Sequence, residues 1–145
     1  MDKRIVLAAA CAALTACAGM PNMGAGISLQ ELEGKGGKRL TASELRQAIA
    51  GTFVSGRTHS GRAFWEWNLG ADGGVNGTVS WQHGTFPQVG KWHVAEDGKF
   101  CYEVAGQGGP ESGGQIGGCQ QWYKLGADFY AVEGTHAMKR EVTRM

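Results

Sequence analysis

The sequence predicts a mainly β domain: an antiparallel meander of about seven strands, in a curled sheet, sandwich or small barrel, with one short N-terminal helix. Three observations predict it. From Thr52 onward apolar residues recur at every second position. The alternating runs are short and are broken by Asp-Gly and Gly-rich turns. Only one segment, Leu40 to Gly51, combines a helical period with start and stop signals.

That segment reads "LTASELRQAIAG". Thr41 is suited to cap the helix, and Glu44, three residues on, completes a capping box. Leu40 and Leu45 take the two positions of a hydrophobic staple, and Gly51 suits the left-handed stop. Leu45, Ala48 and Ile49 share one face, which predicts a helix docked on the sheet.

The strands follow. "TFVSGRT" turns at "HSG" into "RAFWEWNL", which places Ala63, Trp65, Trp67 and Leu69 on one face. "ADGG" turns into "VNGTVSWQ", with Val75, Gly77, Val79 and Trp81 on one side. "VGKWHV", "KFCYEVA", "CQQWYKL" and "FYAVE" complete the set. The four tryptophans Trp65, Trp67, Trp81 and Trp92 share faces with apolar companions. This predicts core positions, Trp81 included, because large rings fill a thin sheet stack well. The other reading makes Trp65 and Trp67 a binding surface that stacks on sugar rings or anchors a protein partner. Residues 134–145 show no core pattern and read as a tail.

The chain before the domain reads differently. Lys3 and Arg4 precede an uncharged, mostly apolar run from Ile5 to Ala16. The run is too short to cross about 30 Å of hydrocarbon, which takes roughly 20 helical residues. A charged start, a short apolar run and small residues describe a secretory signal peptide. Its last residues, Leu14-Thr15-Ala16-Cys17, resemble the lipobox of bacterial lipoproteins. The resemblance implies cleavage before Cys17 and acylation there with palmitate-class chains. It makes 1–16 a signal peptide and Cys17 the lipidation site and membrane contact. Ala18 stands where lipoproteins kept in the inner membrane carry Asp, so the expected address is the outer membrane, facing the periplasm. Ala16-Cys17-Ala18 also fits ordinary signal cleavage with release of a secreted protein, and an apolar helix of the folded domain is the third reading. Residues 17–39 read as a flexible spacer, ordered where "ISLQELE" packs, and 40–133 as the β domain.

With 14 Lys and Arg against 13 Asp and Glu in the whole chain, there is no cationic footprint for nucleic acid. Cys11 falls in the signal peptide and Cys17 takes the lipid, which leaves Cys101 and Cys119. They have neither C-x-x-C spacing nor histidines at zinc spacing, and in an oxidising compartment they read as a disulfide. The Gly-rich stretch between them, Gly106 to Gly118, reads as a floppy loop or as a loop that binds a partner.

Three stretches in the second half, Gly90-Lys91-Trp92-His93-Val94, Asp97-Gly98-Lys99-Phe100-Cys101 and Cys119-Gln120-Gln121-Trp122-Tyr123, form a succession. Together with the Leu40 to Gly51 helix it resembles a group of small exported proteobacterial proteins that are domains of unknown function. The resemblance implies an exported, disulfide-bridged β domain and supplies no reaction or ligand.

Chemistry is sparse. His59, His83, His93 and His136 lack H-x-x-x-H or H-E-x-x-H spacing, although strand pairing could bring His83 to His93, with Glu66 as a guessed third ligand. Ser55, Ser60, Ser80 and Ser112 lack a nucleophile-elbow context, and Asp72, Glu66 and Glu96 form a carboxylate pair only if folding joins them. No catalytic residue, metal site or cofactor is therefore assigned. The expected function is a non-enzymatic binding or structural role in the cell envelope, with an envelope protein or glycan as partner. The alternatives are a proteinaceous inhibitor of a lysozyme-type cell-wall enzyme, using the Gly-rich loop, and a small hydrolase.

Overall fold

A computed structural model describes residues 26–58, 60–106 and 115–145. The fold is mainly β, an antiparallel sheet curled into a half-barrel, with two short helices rather than one. In chain order the elements are β1 (Ile27–Ser28), α1 (Leu29–Gly34), β2 (Lys38–Arg39), α2 (Ala42–Ile49), β3 (Thr52–Arg57) and β4 (Phe64–Leu69). Then come β5 (Gly74–Trp81), β6 (Gly84–Val94), β7 (Phe100–Gly106), β8 (Gln115–Gln120), β9 (Trp122–Leu125), β10 (Asp128–Glu133) and β11 (His136–Arg144). The hydrogen-bonded order is β2-β9-β10-β11-β3-β4-β5-β6-β7-β8, with β1 on β11.

That order forces the curl. β8 lies at one end of it and β9 beside the other end, yet only Gln121 separates them in sequence. The two ends must therefore meet. β8 pairs with β7, β9 pairs with β10, and the Val132 amide donates to the Gln121 carbonyl at 2.9 Å across the corner. β11 makes a second corner: it pairs with β10 up to Arg140 and with β3 from Glu141 onward. Strands that change partners at such corners let one continuous sheet wrap round an interior.

Helix α2 closes one end. The Thr41 hydroxyl accepts from the Glu44 amide at 3.3 Å, and Glu44 Oε2 accepts from the Thr41 amide at 2.8 Å, as the capping box requires. The backbone hydrogen bonding holds the exposed Glu44 carboxyl below its ordinary pKa. Gly51 follows the helix at φ +68°, a conformation that a side chain disfavours. Leu45 and Ile49 are fully buried and join Leu69, Val75, Trp92, Val94 and Phe100 in the main core. A smaller core lies on the outer face of β9, β10 and β11. There α1, capped by Ser28, drives Leu32 against Tyr123 and Ala137.

Three expectations are corrected. Of the stretch 17–39 read as a flexible spacer, the described residues 26–39 are ordered beyond the expected packing of "ISLQELE": β1 and β2 also join the sheet, and Leu32 is fully buried because the short helix α1 finds an apolar patch. The tail expected at 134–145 is β11, a strand that holds two others together. Its inward positions Met138, Arg140 and Val142 do alternate, but a charged residue in the middle hides the period. β6 also begins earlier than expected. It pairs Pro87 with Thr78 and turns tightly through Gln82 and His83.

Cys101 and Cys119 are disulfide-bonded and lie directly opposite each other on β7 and β8. Reduction is expected to lower the thermal midpoint and release two thiols, with a loss of about 3 kcal/mol from loop closure. A midpoint unchanged by reductant, after thiol titration has shown the bond open, would contradict this.

Candidate functional site

Alternation sends every second side chain of the wrapped strands inward. Near α2 these side chains are large and apolar and fill the interior. Farther along, the inward positions enclose a cavity of about 1040 Å³. This is at the upper end of the range typical of small-molecule pockets.

Its walls are aromatic and aliphatic. Trp65 and Trp67 of β4 lie side by side, centroids 4.5 Å apart, and Trp67 meets Tyr102 of β7 at 5.2 Å. Val79, Val104 and Ile116 complete the apolar surface. Trp67 is buried, and its Nε1 donates to Gln88 Oε1 at 2.8 Å. Gln88 is itself buried on β6.

The polar part of the wall lies at the two strand corners. The Arg140 side chain is only 1% exposed. Its Nη2 donates to Glu133 Oε1 at 2.6 Å, and its Nη1 donates to the Arg57 and Lys139 carbonyls at 3.3 Å each. The guanidinium thus serves backbone oxygens near the point where the β11–β3 ladder stops. It also lies over the Trp65 ring, 5.0 Å from the centroid. Gly56 gives it room, since a Cβ there would come within 2.8 Å of Nη1. Burial pulls the Arg140 pKa down and Glu133 offsets this, and a guanidinium remains protonated throughout. Gln120 Nε2 donates to the same Glu133 oxygen at 3.3 Å. Burial, and then the Glu133 charge, push the Tyr102 phenol up, so the ring faces the cavity uncharged.

The mouth is formed by the β3–β4 turn, with Thr58, Ser60 and Arg62, and by Trp81 and Gln82 at the β5–β6 hairpin. Thr58 Oγ1 and Ser60 Oγ lie 3.0 Å apart. Trp81 was expected in the core. Instead it is half-buried at the mouth, its ring edge-on to His83 at 4.4 Å, because its strand runs past the filled end of the barrel. Its Nε1 is buried and has no acceptor among the described residues.

The expected site residues are distributed as follows. Trp65 and Trp67 border the cavity, and Trp92 lies in the core. His83 is at a hairpin tip and His93 lies opposite Cys101. They are separated by about 30 Å of strand at roughly 3.3 Å per residue, so the pairing considered for them does not form. Among the described residues no group of three His, Cys, Asp or Glu could hold a metal ion. Asp72 and Glu96 lie in turns and Glu66 on β4, away from the cavity lining. Cys17, His59, Ser112 and residues 107–114 of the Gly-rich loop lie outside the described residues. The sequence reading missed Arg140, Glu133, Gln88 and Gln120. The one available signal was the alternation of Met138, Arg140 and Val142.

No protein-family model, curated protein or solved structure matches the chain. The fold and cavity define it as an antiparallel half-barrel with an aromatic interior pocket.

Proposed function

We propose that this is a cell-envelope lipoprotein, anchored through Cys17 in the outer membrane, whose half-barrel binds a small amphipathic molecule without transforming it. The observation that carries the binding reading is the cavity, with its tryptophan walls and its lining ion pair. Rigid aromatic walls with a few fixed polar groups are what a small-ligand pocket requires. The polar groups suit binding better than catalysis, because Glu133 is already engaged by Arg140 and Gln120 and is a poor candidate for a free base. Anchoring rests on the lipobox and on the short apolar run before it.

Titration with N-phenyl-1-naphthylamine, which fluoresces in apolar surroundings, tests the pocket. One saturable site per chain is expected, and no saturable binding would overturn the reading. Anchoring has its own test. Cys17→Ala is expected to abolish acylation and to move the protein out of the membrane fraction or leave it unprocessed. Mass spectrometry of the wild-type protein showing an unacylated chain starting at Gly19 would exclude the anchor.

A further inference from the structure

We infer that the cavity takes an amphiphilic carboxylate, with the apolar body inside and the carboxylate at the mouth. This rests on the reading of the cavity as a small-molecule pocket and specifies its ligand class.

The buried ion pair rejects a further charged group. Arg140 and Glu133 neutralise each other at 2.6 Å, Arg140 Nη1 is taken by two backbone carbonyls, and Arg140 Nε, which has no acceptor among the described residues, belongs to a pair with no net charge. A further ion placed there would lose its hydration and find no free counter-charge. Val79, Val104 and Ile116 add apolar wall, and the polar lining groups beside them, Gln88 and the Tyr102 phenol, are uncharged. The buried part of the ligand is therefore uncharged and mainly apolar.

The mouth has the opposite character. Arg62 is exposed and makes no ion pair among the described residues, and the one carboxylate among the described lining residues, Glu133, is engaged by Arg140 and Gln120. Trp81 Nε1, a group that only donates, is buried without an acceptor among the described residues. The β4–β5 register brings these two together: Phe64 pairs with Ser80, so the strand ends carrying Arg62 and Trp81 emerge side by side. The Thr58 and Ser60 hydroxyls, bonded to each other at 3.0 Å, leave one further proton able to donate. A cation and several donors around an apolar hole call for an acceptor with one negative charge. A carboxylate supplies two planar oxygens for these donors and the single charge that one guanidinium balances. A phosphate monoester would bring a second charge with no partner at the mouth.

Two fluorescent probes with the same arylnaphthylamine body separate the contributions. N-phenyl-1-naphthylamine is uncharged; 1-anilinonaphthalene-8-sulfonate carries an oxyanion that stands in for the carboxylate. The sulfonate is expected to bind the full folded protein about tenfold more tightly, as a charge-assisted contact allows. Decanoate is expected to displace it and decanol to do so far less well. Arg62→Ala changes an exposed residue, and Trp81→Phe keeps a ring but removes the donor. Each should reduce affinity for the sulfonate much more than for the neutral probe. Equal affinity for the two probes, or displacement by decanol as good as by decanoate, would overturn the carboxylate assignment and leave the pocket standing. Failure of both probes to bind would remove the pocket reading and this inference with it.

Discussion

Arg140→Met is expected to destabilise the fold by about 3 kcal/mol, the low end of what breaking a buried ion pair costs. The low end applies because Glu133 keeps 25% of its side chain exposed and can turn toward water in the cavity. The loss has two sources. Glu133 is left without its cation, and the Arg57 and Lys139 carbonyls lose their shared donor at the corner of β11. Set against a total stability of 5–15 kcal/mol for a typical domain, this is a large fraction. Urea unfolding of the purified variant measures it. The double variant Arg140→Met with Glu133→Gln is the control, since it removes the carboxylate charge as well as its cation. It should recover part of the loss. If the double variant is no more stable than the single one, the ion pair is not what holds the corner, and packing of the guanidinium against Trp65 has to carry the effect.

Arg140 also shows what the sequence could and could not reveal. The helix at Ala42–Ile49 was legible to the residue of its cap, because Thr41, Glu44 and Gly51 act through local backbone chemistry. The strands β3, β4 and β5 were legible because their two faces differ in polarity. The disulfide was legible by elimination. What stayed hidden depends on which distant strands meet. β11 looked like a tail because Arg140 interrupts its apolar face, and an inward arginine makes sense only once Glu133 and the corner carbonyls surround it. The split of "CQQWYKL" at Gln121 was hidden for the same reason. Nothing local marks a residue at which a strand exchanges one partner for another. The cavity could not be foreseen either. Inward-facing Trp67 and Trp81 have the same alternating signature, yet one is buried on the core and the other borders an opening, because their heights in the barrel differ.

That difference in height sets the second large effect. Trp122→Ala is expected to cost about 3–5 kcal/mol through lost transfer energy and the cavity it leaves. Trp122 is 1% exposed and lies between Phe100, at 5.6 Å, and Phe129, at 6.4 Å. Its carbonyl accepts from the Leu40 amide at 2.9 Å, so its backbone also fixes the approach to α2. The space it vacates is bounded by paired strands and a docked helix, which limits collapse. Its Nε1 has no acceptor among the described residues, so the ring contributes through packing and Trp122→Phe should restore much of the loss. Trp81→Ala provides the internal comparison. Trp81 borders an existing opening, and its removal enlarges a space already present rather than creating a new one. Its cost should be about 1 kcal/mol, an ordinary value for a partly exposed position. Thermal unfolding of the two variants under one buffer decides the matter. If Trp81→Ala unfolds as readily as Trp122→Ala, the β5–β6 hairpin belongs to the core after all and the mouth assigned to it is wrong. If Trp122→Ala leaves the midpoint unchanged, the corner at Gln121 is not packed as described, and the closure of the half-barrel through β8 and β9 fails with it.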